Sequence, residues 1–146
     1  MQLKEKEMMK NQIYMRVSSI GLVLIALLLI SGCRTAKIRN IENAQVVTTS
    51  QIHPDMQKIG DAIIKAGTGL GWRMAQKEVG QIIGKLYVRT HRADVEIIYN
   101  HKNYNIIYKN SSNLKYNAEK STIHREYNKW INNLDIAIQR EISNMK

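Results

Sequence analysis

The chain has 146 residues and a formal net charge of +10, from 22 Lys+Arg against 12 Asp+Glu, with one cysteine and one proline. A lone cysteine excludes an intramolecular disulfide framework and any zinc site built on several thiolates, and the length allows one domain or two small ones. The hydrophobic share of 44% is ordinary, but much of it sits in the nearly unbroken run Ile20 to Ile30, so the average hides two regimes.

Residues 1–16 are polar and carry Lys4, Lys6, Lys10 and Arg16 against Glu5 and Glu7; the apolar run follows, and Ser31 and Gly32 close it. This is the layout of a secretory signal peptide. The apolar stretch from Val17 to Ile30 includes Ser18 and Ser19, so it falls short of the ~20 apolar residues a spanning helix needs. The closing run Leu29-Ile30-Ser31-Gly32-Cys33 resembles the bacterial lipobox, and Cys33 is the only cysteine in the chain. The resemblance implies covalent diacylglycerol and an acyl chain such as palmitate on Cys33, with no other cofactor. Each buried methylene is worth ~0.8 kcal/mol, so three chains anchor the protein to a bilayer without spanning it. In lipoproteins of this class an aspartate after the cysteine favours the inner membrane. Arg34 stands there, which implies the outer membrane, facing the periplasm.

The expected organisation is a signal peptide over 1–32, a lipidated N-terminus and flexible tether over 33–53, and a single α+β domain over 54–146. Removing residues 1–32 takes away four cations and two glutamates, so the net charge falls by two, from +10 to +8. A basic envelope domain suits anionic components such as lipid head groups, lipopolysaccharide phosphates or peptidoglycan carboxylates. A nucleic-acid partner is not expected outside the cytoplasm. The bland account of the charge is a bias toward Asn, Lys and Ile that spreads cations over a solvated surface.

Along the mature chain, Arg34 to Ile52 shows no sustained apolar period and reads as tether. His53-Pro54-Asp55 looks like a helix start, and Met56, Ile59, Ile63 and Ala66 share one helical face until Gly67, Gly69 and Gly71 end it. The period then changes to 2. Trp72, Met74 and Gln76 define a first strand, followed by a break at Glu78-Val79-Gly80. In the second strand Ile82, Gly84, Leu86 and Val88 should face the core. A third has Ala93, Val95, Ile97 and Tyr99 inward, and a turn at Asn100–Asn103 leads to Tyr104, Ile106 and Tyr108 in a fourth. These strands read as antiparallel hairpins. Asn110-Ser111-Ser112-Asn113 should end the fourth, and Ser121 or Thr122 offers an N-cap for a long amphipathic helix. Its stripe is Ile123, Tyr127, Trp130, Leu134, Ala137 and Ile138. The expected fold is α+β: a helix, a three- or four-stranded antiparallel sheet and a long C-terminal helix packed on one sheet face.

The series Gly71-Trp72, His91-x-Ala93-x-Val95-x-Ile97-x-Tyr99, Ser112-Asn113-Leu114-x-Tyr116 and Ile123-His124-x-x-Tyr127-Asn128-x-Trp130-Ile131 resembles a group of small bacterial lipoproteins. The likeness covers most of the mature chain, although Val79-Gly80 stands where that group commonly has Pro-Gly. It implies class and location and carries no activity with it.

Of the four histidines, His91 and His101 lie at opposite ends of the third strand, roughly 30 Å apart at ~3.3 Å per residue, so the four cannot share a metal. The fourth strand returns toward His91. If the last helix starts there, Arg89, His91, Ser112, Asn113 and His124 form a polar cluster, the candidate binding site. The bland reading has Ser112 and Asn113 shaping a turn and His124 satisfying backbone groups at the helix start. Tyr87, Tyr99, Tyr104 and Tyr108 with Trp72 suggest either a stacking platform or, more simply, core. Lys85, Arg89, Arg92, Lys102 and Lys109 are expected to make a common basic face. No nucleophile elbow, paired-carboxylate motif or phosphate loop is present; Gly67–Gly71 lacks the P-loop lysine and precedes a strand. The reading is therefore a non-enzymatic envelope lipoprotein that binds a protein partner or an anionic envelope component, with a hydrolase or metal protein using His91 and His124 as the alternative.

Overall fold

The structure is a computed structural model that describes residues 35–48 and 54–145. The signal segment, Cys33 and His53 lie outside the described residues. From Thr35 onward the chain forms one compact unit. Strands β1 (Thr35–Lys37) and β2 (Ile41–Gln45) precede helix α1 (Met56–Gly69). Strands β3 (Arg73–Glu78), β4 (Gln81–Val88), β5 (His91–Tyr99) and β6 (Asn103–Ser112) follow, then β7 (Thr122–His124) and helix α2 (Arg125–Ser143). A five-stranded antiparallel sheet has the order β2-β6-β5-β4-β3, and β1 pairs with β7 in a second, two-stranded sheet. The fold is α+β, with α2 packed on the main sheet.

Helix α1 buries Ile59, Ala62, Ile63 and Ala66 on the face that its apolar spacing marks. Asp55 stands at its N-cap position, without a side-chain capping bond. The helix ends in a Schellman motif: the Trp72 amide donates to the Gly67 carbonyl and the Gly71 amide to Thr68, both at 3.0 Å. Gly71 takes φ +84 there, the left-handed conformation in which a Cβ is penalised. The reversal points Trp72 back into the core, where it is 3% exposed.

Strand alternation fixes the two sheet faces. Ile82 and Leu86 in β4, Ala93, Val95, Ile97 and Tyr99 in β5, and Tyr104 and Ile106 in β6 are buried with Tyr127, Ile131, Leu134 and Ile138 of α2. Tyr99, Tyr104 and Trp72 are thus core residues, Tyr108 is half-buried, and Tyr87 is exposed with the Arg73 guanidinium 5.1 Å above its ring.

Four expectations need correction. The tether predicted over 33–53 is replaced in part by β1 and β2, which belong to the folded unit: Ile41 is buried and pairs with Ile106. Strand β6 continues through the predicted break at Asn110–Asn113 as far as Ser112, which pairs with Arg92 after a bulge. The cap of α2 is His124, because Thr122 is drawn into β7 against Lys37. Finally, Val88 is exposed at the sheet's end and Trp130 is only partly buried, with Ile131 taking the fully buried position instead.

Candidate functional site

The hairpin β4–β5 turns through two residues, Arg89 and Thr90, between the paired Val88 and His91. Arg89 has φ +54, at the first turn position, which glycine usually fills in such hairpins. Strand β6 runs antiparallel to β5 and so ends at the same edge, where Asn113 (φ 59) and Lys115 (φ 51) are also left-handed. Three of the five non-glycine residues with positive φ among the described residues therefore gather at one end of the domain. Backbone strain of this kind clusters at working sites more often than elsewhere.

Hydrogen bonds tie the end together. The Asn113 side-chain amide donates to the Thr90 carbonyl at 2.7 Å, and the Asn113 carbonyl lies 2.8 Å from His91 Nδ1. The His124 amide donates to the Leu114 carbonyl at 2.8 Å. His124 Nδ1 accepts from the Glu126 amide at 3.3 Å, capping α2. A carbonyl requires a donor and an amide requires an acceptor, so the neutral rings hold opposite tautomers, His91 with Nδ1–H and His124 with Nε2–H. The rings stack with centroids 6.2 Å apart and planes at 21°.

Of the predicted cluster, the structure brings together His91, Asn113 and His124. Arg89 stands in the adjacent turn, exposed, and Ser112 pairs with Arg92 in the ladder. No third His, Cys, Asp or Glu joins the two histidines into a metal-sized group among the described residues.

The electrostatics of this end follow from which cations have carboxylates. Asp94, nearly buried, faces Arg92 Nε at 3.3 Å without the alignment of a hydrogen bond. Glu126 pairs with Lys129 at 2.7 Å, and that ammonium holds its carboxyl below the usual range. Arg89, Lys115 and Arg125 have no ion pair among the described residues. Beside them Tyr87, Val88 and Tyr116 are exposed. The end is thus a small patch of unpaired cations interleaved with exposed apolar groups.

The expected common basic face is divided. Lys85, Arg92 and Lys109 do share the open sheet face, opposite the buried residues of their strands, but Lys109 pairs with Glu96 at 3.1 Å and Arg92 with Asp94. Glu96 is held below the usual carboxylate range by Lys109 and then by Gln81. Arg89 lies at the His91 end, whereas Lys102 lies in the β5–β6 turn, near His101, whose Nδ1 is 3.0 Å from the Pro54 carbonyl. Those two cations stand at opposite ends of β5.

Sequence reasoning missed Lys115, because nothing in its neighbours signals a left-handed turn. It also missed a polar cleft of about 930 Å³ between the β1–β2 connection and α2, lined by Arg39, Asn128, Lys129 and Asn132 among others. Asn128 closes its floor, accepting from the Arg39 amide at 3.0 Å and donating to the Lys37 carbonyl at 2.8 Å. No helix among the described residues is long and apolar enough to cross a membrane. Comparison with protein families, with curated proteins and with solved structures finds no match to this chain.

Proposed function

We propose that this protein is a lipid-anchored lipoprotein of the bacterial cell envelope whose basic domain binds an anionic envelope component without catalysing a reaction. The anchor is Cys33, and Arg34 beside it favours the outer membrane, facing the periplasm. The observation that carries the binding reading is the end patch: Arg89, Lys115 and Arg125 with no ion pair among the described residues, beside exposed Val88 and Tyr87. Cations freed from internal pairing contribute ~1 kcal/mol each near an anionic surface.

Two measurements test this reading. Labelled palmitate should enter the wild-type protein and not Cys33→Ala; label retained in that variant sinks the anchor. The soluble unit from Thr35 onward should bind anionic vesicles at low salt and release them as the Debye length falls from ~10 Å at 0.1 M to ~3 Å at 1 M. Binding indifferent to salt, or none at low salt, leaves the charge as a dispersed solvated surface and favours a protein partner.

The stacked histidines are the one observation that favours the alternative, a metal protein or hydrolase. Each ring already commits its Nδ1 to the backbone, which leaves two Nε2 atoms and no third ligand beside them among the described residues. Metal analysis of purified protein, with His91→Ala as control, separates the readings.

A further inference from the structure

We propose that the end of the domain bearing Arg89, Lys115 and Arg125 lies on the phospholipid head groups of the very membrane that holds Cys33. This inference rests on the lipid anchor proposed above and names the component that the end patch meets.

Chain length limits how far the folded unit can stand from Cys33. Strand β1 starts at Thr35, two residues beyond Cys33, where a tether was expected. Consecutive Cα atoms are 3.8 Å apart, so two residues span at most ~7 Å. Once the signal peptide is removed, a lipidated Cys33 has no spacer with which to hold the folded unit away from the bilayer. Thr35 itself is fixed, because it pairs with His124 across the β1–β7 ladder.

Topology then decides which end is held down. The His124 ring stacks on His91, the first residue of β5, and His91 follows the turn that carries Arg89. Arg125 begins α2 directly after His124, and Lys115 follows Leu114, whose carbonyl accepts from the His124 amide. These three cations, none with an ion pair among the described residues, therefore lie on the end of the domain that carries the attachment point. Strand β5 runs from His91 at this end to Tyr99 at the other, which carries Lys102 and His101 away from the surface.

Charge and polarity agree with that placement. Cations that reach within the ~8 Å Debye length of anionic head groups at physiological ionic strength act on them with little screening. Arginine and lysine stems, with exposed Val88 and Tyr87, suit an interface that is apolar on one side and charged on the other. Tethering makes the contact intramolecular in effect, so a patch too weak to hold a free domain still orients an anchored one.

The test uses the acylated protein purified from bacteria and reconstituted into phosphatidylethanolamine vesicles containing phosphatidylglycerol. Because Cys33 carries the lipid, a second cysteine at an exposed turn is the only thiol open to a fluorophore. Thr90→Cys and Lys102→Cys place the dye at the two ends, and lipids with a spin label on the head group quench it by contact. The expected result is several-fold stronger quenching at position 90 than at 102. Equal quenching, or the reverse order, overturns the proposal. The combined variant Arg89→Glu, Lys115→Glu, Arg125→Glu, checked for unchanged melting, should lose the difference while still floating with vesicles at ~1 M salt, where surface electrostatics is screened. A difference that persists in that variant overturns the electrostatic contact. Wild-type protein that fails to float at high salt overturns the anchor itself, an outcome distinct from a floating protein in the wrong pose.

Discussion

The Tyr104 hydroxyl donates to the Asp135 carboxylate at 2.5 Å, whereas that of Tyr127, in an equally buried side chain, has no hydrogen-bond partner among the described residues. A buried hydroxyl without a partner costs its desolvation, while one bonded to a carboxylate is net stabilising. Tyr127→Phe should therefore leave stability unchanged or raise it by about 1 kcal/mol, and Tyr104→Phe should lower it by about 1.5 to 3 kcal/mol. Urea titrations of the two variants check the contrast. Burial pushes both phenols above the ordinary tyrosine value, with Asp135 adding to the effect at Tyr104 and Tyr108 at Tyr127. In the unfolded chain they ionise near ~10, while the folded core keeps them neutral. Their contribution is thus complete below about pH 10 and declines as the pH rises past it. The melting temperature should fall on that alkaline side, and the double Phe variant should show a flatter profile.

Helix α2 begins with an unusual cap. An imidazole nitrogen does at His124 what a hydroxyl or carboxylate normally does, accepting one of the free amides of the first turn. His124→Ala should cost about 0.5 to 2 kcal/mol, and His124→Asp should restore most of the loss, since aspartate is a preferred cap and suits the positive helix end. Thermal denaturation distinguishes this from a role in ring stacking, which aspartate does not rescue. The apolar stripe of the same helix makes a graded prediction. Ile131→Ala or Leu134→Ala removes a fully buried side chain and should cost about 2 to 5 kcal/mol. Trp130→Ala, at the margin of the core, should cost clearly less despite the larger residue.

At the scale of the whole molecule, the short N-terminal strands have the largest consequence. Strand β2 extends the main sheet and buries Ile41, the Asn40 side chain accepts from the Tyr108 amide at 3.0 Å, and Asn128 grips the connection through two backbone groups. A chain starting at Thr35 should fold cooperatively. One starting at Val46 should lose several kcal/mol, from a missing core side chain worth about 2 to 5 kcal/mol and the ladder bonds beside it. If residues 35–45 were a tether, the two chains would melt alike. Under the proposed lipid anchor, the same shortening of the tether would hold the domain against its membrane, which is how an element of eleven residues would bear on function.

Much of this fold was legible in the sequence, because the signals are local. Period 3.6 in Ile59, Ile63 and Ala66 and period 2 in Val95, Ile97 and Tyr99 each record which side of one element meets the core, and no knowledge of distant residues is needed. Even the meeting of His91, Asn113 and His124 could be read by counting strands and their directions. Tertiary structure alone decided the rest. Thr35–Lys37 and Ile41–Gln45 have no periodic pattern, and they are strands because β7, β6 and Asn128, up to about ninety residues away, supply partners for their backbone groups. His124 caps α2 only because β7 claims Thr122. Arg89, Lys115 and Arg125 are among the cations with no ion pair in the described residues, where Asp94, Glu96 and Glu126 meet Arg92, Lys109 and Lys129 instead. Charge pairing depends on distances of a few ångströms between separate elements, and a sequence records how many charges there are without recording which of them meet.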